Sequence, residues 1–256
     1  MLHILAIADV NSAKGKITNQ RLVDLGVSFE IIPAVFPNEP HPWSALYDEK
    51  RRIRLNGYPL IKGEVGCFLA HREAWKAALM GPHETVLILE DDFKISPDDV
   101  PKIVSIAEIK ESKNLITLLS TSNHELSFRR WIKHHDIHLV MPECRTYSTL
   151  AYFVSKQTAA QLLKHSESIF CPVDEFTNME SLHGIALVCT YPLLVSQDGS
   201  DSTIGHRAKP AIKTRQKLIR NYFRFVWTIR EKISRLKTLL KLGLIGTKVE
   251  TRRNHS

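Results

Sequence analysis

The apolar run Thr85-Val86-Leu87-Ile88-Leu89 stops abruptly at three consecutive acids, Glu90-Asp91-Asp92. An unbroken Val/Leu/Ile run of this length predicts a buried strand of the parallel kind. Its carboxyl end then opens on a cleft, where open α/β sheets place their ligands. Leu2–Ala8 predicts an earlier buried strand, Asp9–Lys16 a polar loop, Ile17–Leu25 a helix stopped by Gly26, and Ser28–Ile32 a second strand. That β-α-β order implies parallel pairing with a right-handed crossover. Prolines and charges make Pro33–Tyr58 a long irregular loop, and Gly63–Met80 carries the apolar stripe of a helix through Val65, Phe68, Leu69, Trp75, Ala78 and Leu79. Further helices are predicted over Pro101–Ile109, Gln157–His165 and Asp174–Leu182, and further strands over Leu115–Leu119, Asp136–Met141, Leu150–Ser155 and Ile185–Thr190. The alternation continues to about residue 196 and predicts a mixed α/β sandwich.

Beyond it the period changes. Ile219, Tyr222, Val226, Ile229, Ile233, Leu236 and Leu240 follow one another at spacings of 3, 4, 3, 4, 3 and 4, one apolar line along a helix from about Ile212 to Leu240. Lys217, Arg220, Arg224, Arg230, Lys232, Arg235, Lys237 and Lys241 flank it, while Phe223, Phe225 and Trp227 are expected to widen its apolar side. Three readings fit this spacing: a helix lying on an anionic membrane surface, a short coiled coil that dimerises the protein, and a helix docked on its own domain. Nearly single-sign flanks favour the membrane. The boundaries read as a domain over residues 1–208 and a basic amphipathic helical tail over 209–256.

Charge sharpens that division. Residues 209–256 hold 14 Lys and Arg against 2 acids, a net +12, which leaves 21 against 25, or −4, for residues 1–208. A mildly acidic domain with a basic tail does not match a uniformly basic nucleic-acid binder. Cys67, Cys144, Cys171 and Cys189 are far apart, without C-x-x-C, and read as free thiols of a reducing compartment. The first residues lack the basic region of a signal peptide, and no stretch reaches the ~18–20 apolar residues of a membrane span. The expectation is a cytoplasmic protein, peripheral on the inner face of the cytoplasmic membrane.

The acids carry the candidate chemistry. Alternation along a strand turns Glu90 and Asp92 one way and Asp91 the other. Two such carboxylates repel unless a cation or hydrogen-bond donors compensate, and a hard divalent metal is the simplest compensation. A solvated acidic turn is the plain alternative. No G-x-x-x-x-G-K-[ST] is present, which disfavours a P-loop enzyme.

Six blocks in order resemble glycosyltransferase family 25, the bacterial lipopolysaccharide sugar transferases related to the galactosyltransferase domain of collagen-modifying enzymes. They are Phe29–Val35, Gly63-Glu64-Val65-Gly66-Cys67-Phe68-Leu69-Ala70-His71, Leu87-Ile88-Leu89-Glu90-Asp91-Asp92, Ala151–Ser155, Pro172-Val173-Asp174-Glu175-Phe176, and Gln197 through Ser202-Thr203-Ile204. The resemblance covers roughly residues 1–206. It departs in the first loop, which offers Lys14, Lys16 and Arg21 in place of an arginine-rich segment, and at Ala70, where Ser is usual.

The resemblance implies a GT-A-like fold, a Rossmann-like mixed sheet sandwiched by helices. It also implies inverting transfer of a hexose from a nucleotide sugar, UDP-galactose with UDP-glucose as the alternative, onto a lipooligosaccharide acceptor. The implied cofactor is a divalent metal, manganese or magnesium. Asp92 becomes the metal ligand, Glu90 a helper to the ribose or metal-bound water, and Glu64 and Asp91 further donor contacts. Asp174 is the first choice of base and Glu175 the second, with His71 a further catalytic candidate and His206 a late metal or phosphate contact. Each has a plainer rival: Asp174 as a helix N-cap, Glu64 as charge complement to a helix start, His71 as a core histidine, His206 as part of a polar loop. Nucleotidyl transfer or hydrolysis, and a non-catalytic sugar-binding or membrane-associated module, are the alternatives in other classes.

Overall fold

Continuous burial along short apolar runs builds a sheet covered on both faces. In the computed structural model, which describes residues 2–36, 45–123, 125–199 and 214–253, the chain begins with β1 (His3–Ala8), α1 (Ala13–Asp24), β2 (Ser28–Pro33), α2 (Glu49–Asn56), α3 (Lys62–Met80), β3 (Thr85–Leu89) and β4 (Phe93–Lys94). It continues with α4 (Val100–Ala107), β5 (Ile116–Leu118), β6 (Glu125–His134), β7 (Ile137–Pro142), β8 (Ala151–Ser155), α5 (Lys156–His165), α6 (Val173–Thr177) and α7 (Glu180–His183). Last come β9 (Leu187–Tyr191), β10 (Ser196–Gln197), α8 (Thr214–Lys241) and β11 (Glu250–Arg253).

Nine strands form one mixed sheet in the order β11-β6-β7-β9-β5-β8-β3-β1-β2, and β4 pairs with β10 beside it. The opening β-α-β is parallel, with Ile4 opposite Phe29 and Ala6 opposite Ile31. Along β3, Val86 and Ile88 join the core under α3 and α5, while Leu87 and Leu89 join the core under α1 and α4. Burial on both faces is why this strand reads as a continuous apolar run. It is parallel to β1, as a buried parallel strand is expected to be, and on its other side runs antiparallel to β8, which makes the sheet mixed. β8 also pairs antiparallel with β5. The carboxyl ends of β3 and β5 therefore share one rim with the segment entering β8.

Local signals explain the helix ends. Ser12 caps α1 by accepting from the Gly15 N–H at 2.9 Å. A Cβ on Gly15 would stand 1.9 Å from the Asp9 carbonyl oxygen, so the helix begins close against the turn that follows β1, inside the expected polar loop. Gly26, at φ 63°, follows α1 as expected.

Two sequence expectations are corrected. Pro33–Tyr58 is not wholly irregular, because α2 lies within it, capped by Asp48, which accepts from the Arg51 N–H at 2.9 Å, and ended by Gly57 at φ 88°. The single helix expected over Asp174–Leu182 is two, α6 and α7, parted at Asn178–Met179.

α8 forms over the expected tail and docks on the body. Trp227 packs edge-on to Phe170 with ring centroids 6.3 Å apart, Glu231 accepts from Ser181, Arg235 donates to the Pro142 carbonyl and Thr238 bonds Glu180. Past the helix, Leu244 enters the core, and β11 adds an edge strand antiparallel to β6.

Candidate active site

The shared rim opens on a cleft of about 1050 Å³, lined among others by Glu64, Cys67, Glu90, Asp174, Glu175 and Gln197. Three stretches far apart in sequence thus deliver carboxylates to one place: the first turns of α3, the end of β3 and the start of α6.

Glu90 continues the alternation of β3 and faces α3, where a hydrogen-bond chain meets it. Trp75 Nε1 donates to the Tyr152 hydroxyl at 2.9 Å, that hydroxyl lies 2.7 Å from His71 Nδ1, and His71 Nε2 lies 3.2 Å from Glu90 Oε1. Thr149 donates to the same carboxylate oxygen at 2.6 Å. Burial pushes the Tyr152 phenol well above its ordinary value, so it remains an O–H donor. The assignment that satisfies every group has Tyr152 donating to Nδ1 and the Nε2 proton of His71 donating to Glu90. Burial pushes the Glu90 carboxyl up, but the hydrogen bonds from His71 and Thr149 and the charge of Lys14 outweigh it, leaving Glu90 below the ordinary glutamate value. His71 is fully buried, as a core histidine is, yet it orients a cleft carboxylate. Tyr152→Phe removes the hydroxyl on which Trp75 and His71 both rely. An expected loss of about 1–3 kcal/mol in denaturant unfolding checks that chain.

Asp91 turns the other way and pairs with Lys14 at 2.9 Å. Arg21 donates to the Phe93 carbonyl at 2.9 Å and pairs with Asp198 at 2.7 Å, so these two cations of the first helix brace the acidic turn. Asp92 is buried; its Oδ2 accepts from Gln197 at 2.8 Å, while Oδ1 has no hydrogen-bond partner among the described residues. Burial pushes its carboxyl up, as do the charges of Glu90 and Asp91, against the Gln197 bond and Lys14.

Asp174 is the second residue of α6, whose N-cap is Pro172, so the N-cap alternative does not describe it. Its Oδ1 accepts from the Glu175 N–H at 2.7 Å. Burial raises its carboxyl, and the charges of Glu175 and Glu90 add to that. Glu175 is held differently, by Arg52 of α2 at 3.0 Å, a fully buried guanidinium. Glu64 accepts from the Ile61 N–H at 3.0 Å and so closes the start of α3 while lining the cleft. His206 lies outside the described residues.

Two donor sets bear on a metal. The ligand atoms of Cys67, His71 and Glu90 lie within 4.8 Å of one another. Both His71 nitrogens are already engaged, however, and burial together with the nearby charges of Glu90, Asp174, Asp92 and Asp91 pushes the Cys67 thiol well up. A thiol and an imidazole also suit a borderline ion such as zinc better than a hard one. The oxygen set fits a hard cation: Asp92 Oδ1 is a buried carboxylate oxygen with no hydrogen-bond partner among the described residues, and the charge of Glu90 is near enough to raise its carboxyl.

The family model described as "Glycosyltransferase family 25 (LPS biosynthesis protein)" matches residues 10–177, about two thirds of the chain and every cleft carboxylate named above. The chain belongs to glycosyltransferase family 25. Among its family 25 relatives, a "Glycosyltransferase 25 family member" of Aedes aegypti is 28% identical over 167 residues, covering 60% of this chain and 26% of that protein. "Procollagen galactosyltransferase 1" of Danio rerio is 30% identical over 125 residues, covering 47% and 20%. A "Probable inactive glycosyltransferase 25 family member 3" of Bos taurus is 28% identical over 124 residues, covering 47% and 21%. The chain thus spans about a quarter or less of the length of these relatives. A solved mannose-1-phosphate geranyltransferase of Thermus thermophilus aligns over 73% of this chain and 72% of its own, at 8% identity and a TM-score of 0.36. That likeness carries no argument, and the mixed α/β architecture rests on this chain's own sheet.

Within this family 25 site, Arg52, Thr149, Tyr152 and Gln197 had been given no role by sequence reasoning. Tyr152, an aromatic hydroxyl in an otherwise apolar strand, and Gln197, which opens the last block of the resemblance, carried a signal; Arg52 and Thr149 did not.

Proposed function

We propose that this protein is an inverting, GT-A-like glycosyltransferase that moves a hexose, galactose from UDP-galactose, onto a saccharide of the lipooligosaccharide type. The observation that supports this best is the convergence of Glu64, Glu90, Asp174 and Glu175 on one cleft from three separate stretches of the family region. Inverting transfer needs a carboxylate that takes the acceptor hydroxyl proton as the oxygen attacks the anomeric carbon. Asp174 suits this work because burial and like charges raise its basicity and no cation pairs with it among the described residues. Glu175, tied to Arg52, instead holds the start of α6 in place. Glu90 is oriented by His71 and Thr149, and Glu64 lines the same cleft from α3. A divalent cation, manganese or magnesium, held by Asp92 and Glu90 would neutralise the departing diphosphate as a Lewis acid.

The test incubates the full chain with labelled UDP-galactose or UDP-glucose, lipooligosaccharide core saccharides or procollagen, and manganese or a chelator. A labelled glycan formed from UDP-galactose is expected. Release of nucleotide without any glycan product would overturn the reading.

Acid should inactivate the enzyme early. Asp174 must be ionised to act, so kcat/KM should fall as pH drops through its raised value, above the ordinary aspartate range. The effect on stability has the opposite sign. A carboxyl raised by folding contributes stability that is fully present below its unfolded value and is lost as pH rises through its folded value. Asp174→Asn should remove this residue's share of both dependences, leaving that of the raised Asp92 carboxyl, which a pH–rate profile and a pH series of unfolding midpoints would show.

A further inference from the structure

α8 uses one face to dock and leaves another bare. Trp227, Glu231, Arg235 and Thr238 face the body at helical spacing. At about 100° per residue, the line through Tyr222, Val226, Ile229, Ile233, Leu236 and Leu240 lies about 180° around the helix from them. These side chains are open: Tyr222 is 64% exposed, Ile233 51%, Leu236 53% and Leu240 61%. So long an apolar line on a docked helix calls for a partner. Charge indicates which one. By the same geometry Arg230, Lys237 and Lys241 border the line on one side and Lys232 on the other, and the only acid of α8, Glu231, points inward to Ser181.

We infer that the outward face of α8 is a docking surface for an anionic lipid bilayer. The apolar line enters the boundary between headgroups and acyl chains, and the bordering cations meet lipid phosphates. No helix among the described residues is long and apolar enough to cross a membrane, so the contact is made in the plane of the surface. A coiled coil with a second copy would put these cations opposite one another, with no acids on the outward half of the helix to relieve them. The docking also orients the site. Tyr147 and Glu175 line both the large cleft and a cavity of about 330 Å³ whose far wall includes Trp227, Thr228 and Glu231 of α8. The helix that binds lipid thus walls a cavity that shares Tyr147 and Glu175 with the cleft, which would keep the site near a bilayer that holds its acceptor.

The experiment measures partition of the full chain onto phosphatidylglycerol and phosphatidylcholine vesicles at low and high salt. Deletion of the helix is avoided, because it would also remove the docked face, Leu244 and β11. Ile229→Ser/Ile233→Ser/Leu236→Ser alters only exposed positions, and Lys232→Glu/Lys237→Glu alters only exposed charges. Binding to phosphatidylglycerol at least about tenfold tighter than to phosphatidylcholine, weakened by salt, is expected. The charge variant should lose that preference, and the serine variant should lose binding to both, with unchanged unfolding temperatures. Absence of binding by the full chain, binding indifferent to lipid charge, or a dimer that the serine variant disperses without any vesicle binding would overturn the inference. Vesicle binding needs no catalysis, and transfer to a soluble acceptor should be unchanged in both variants, so this inference and the proposed activity can fail separately.

Discussion

Asp174→Asn is expected to lower turnover by about 10²- to 10⁴-fold, the range contributed by a positioned general base, while leaving nucleotide-sugar binding intact. The substitution conserves shape, and the amide oxygen can still accept from the Glu175 N–H as Oδ1 does now. Nothing else about α6 need change. Binding of UDP-galactose by calorimetry, set beside steady-state transfer, separates the two effects. Normal turnover in the variant would mean that the proton goes elsewhere, and Glu175 and Glu90, which line the same cleft, would be the next to test.

Glu175→Leu should act through stability. It strands the Arg52 guanidinium, which is fully buried and has Glu175 as its charge partner at 3.0 Å. Removing one member of such a pair costs about 3–5 kcal/mol. For a chain of this length that is a fall in unfolding midpoint on the order of 10 °C. Adding Arg52→Met should restore much of the loss, because two apolar side chains can replace a buried ion pair where a lone charge cannot. A thermal-melt double-mutant cycle reads this directly. An unchanged midpoint with lost turnover would instead make Glu175 a reacting group.

These two carboxylates are neighbours in the chain, and the sequence ranks them together. What separates them is a contact across 123 residues, from a helix with so little apolar content that Glu49–Asn56 reads as loop. The cues to α2 were present in Asp48 and Gly57, its two caps, but the burial of Arg52 leaves no local trace. β6 was missed for a related reason. Arg129, Arg130 and Lys133 interrupt its apolar residues and its register shifts between Arg130 and Ile132, so neither alternation nor a continuous run survives. The strands β1, β3 and β8 were legible because both their faces are buried and their composition says so. The acids that end β3 were legible as a group, and the turning of Asp91 away from Glu90 follows from strand geometry alone. The Trp75–Tyr152–His71 chain was not, since it joins a helix to a strand some 80 residues away.

The strand at Glu250–Arg253 gives the tail a second consequence. It pairs along Glu125–Phe128 of β6, and Arg130 clasps Glu250 at 2.6 Å just beyond. Without it, β6 would be the outermost strand, a long row of open backbone donors and acceptors of the kind that recruits other chains. Two arginines in the covering strand, Arg252 and Arg253, put like charges on the new margin and discourage further addition. Glu250–Arg253 therefore acts as a selvedge, and a truncation that removes this strand would leave β6 as a self-associating edge.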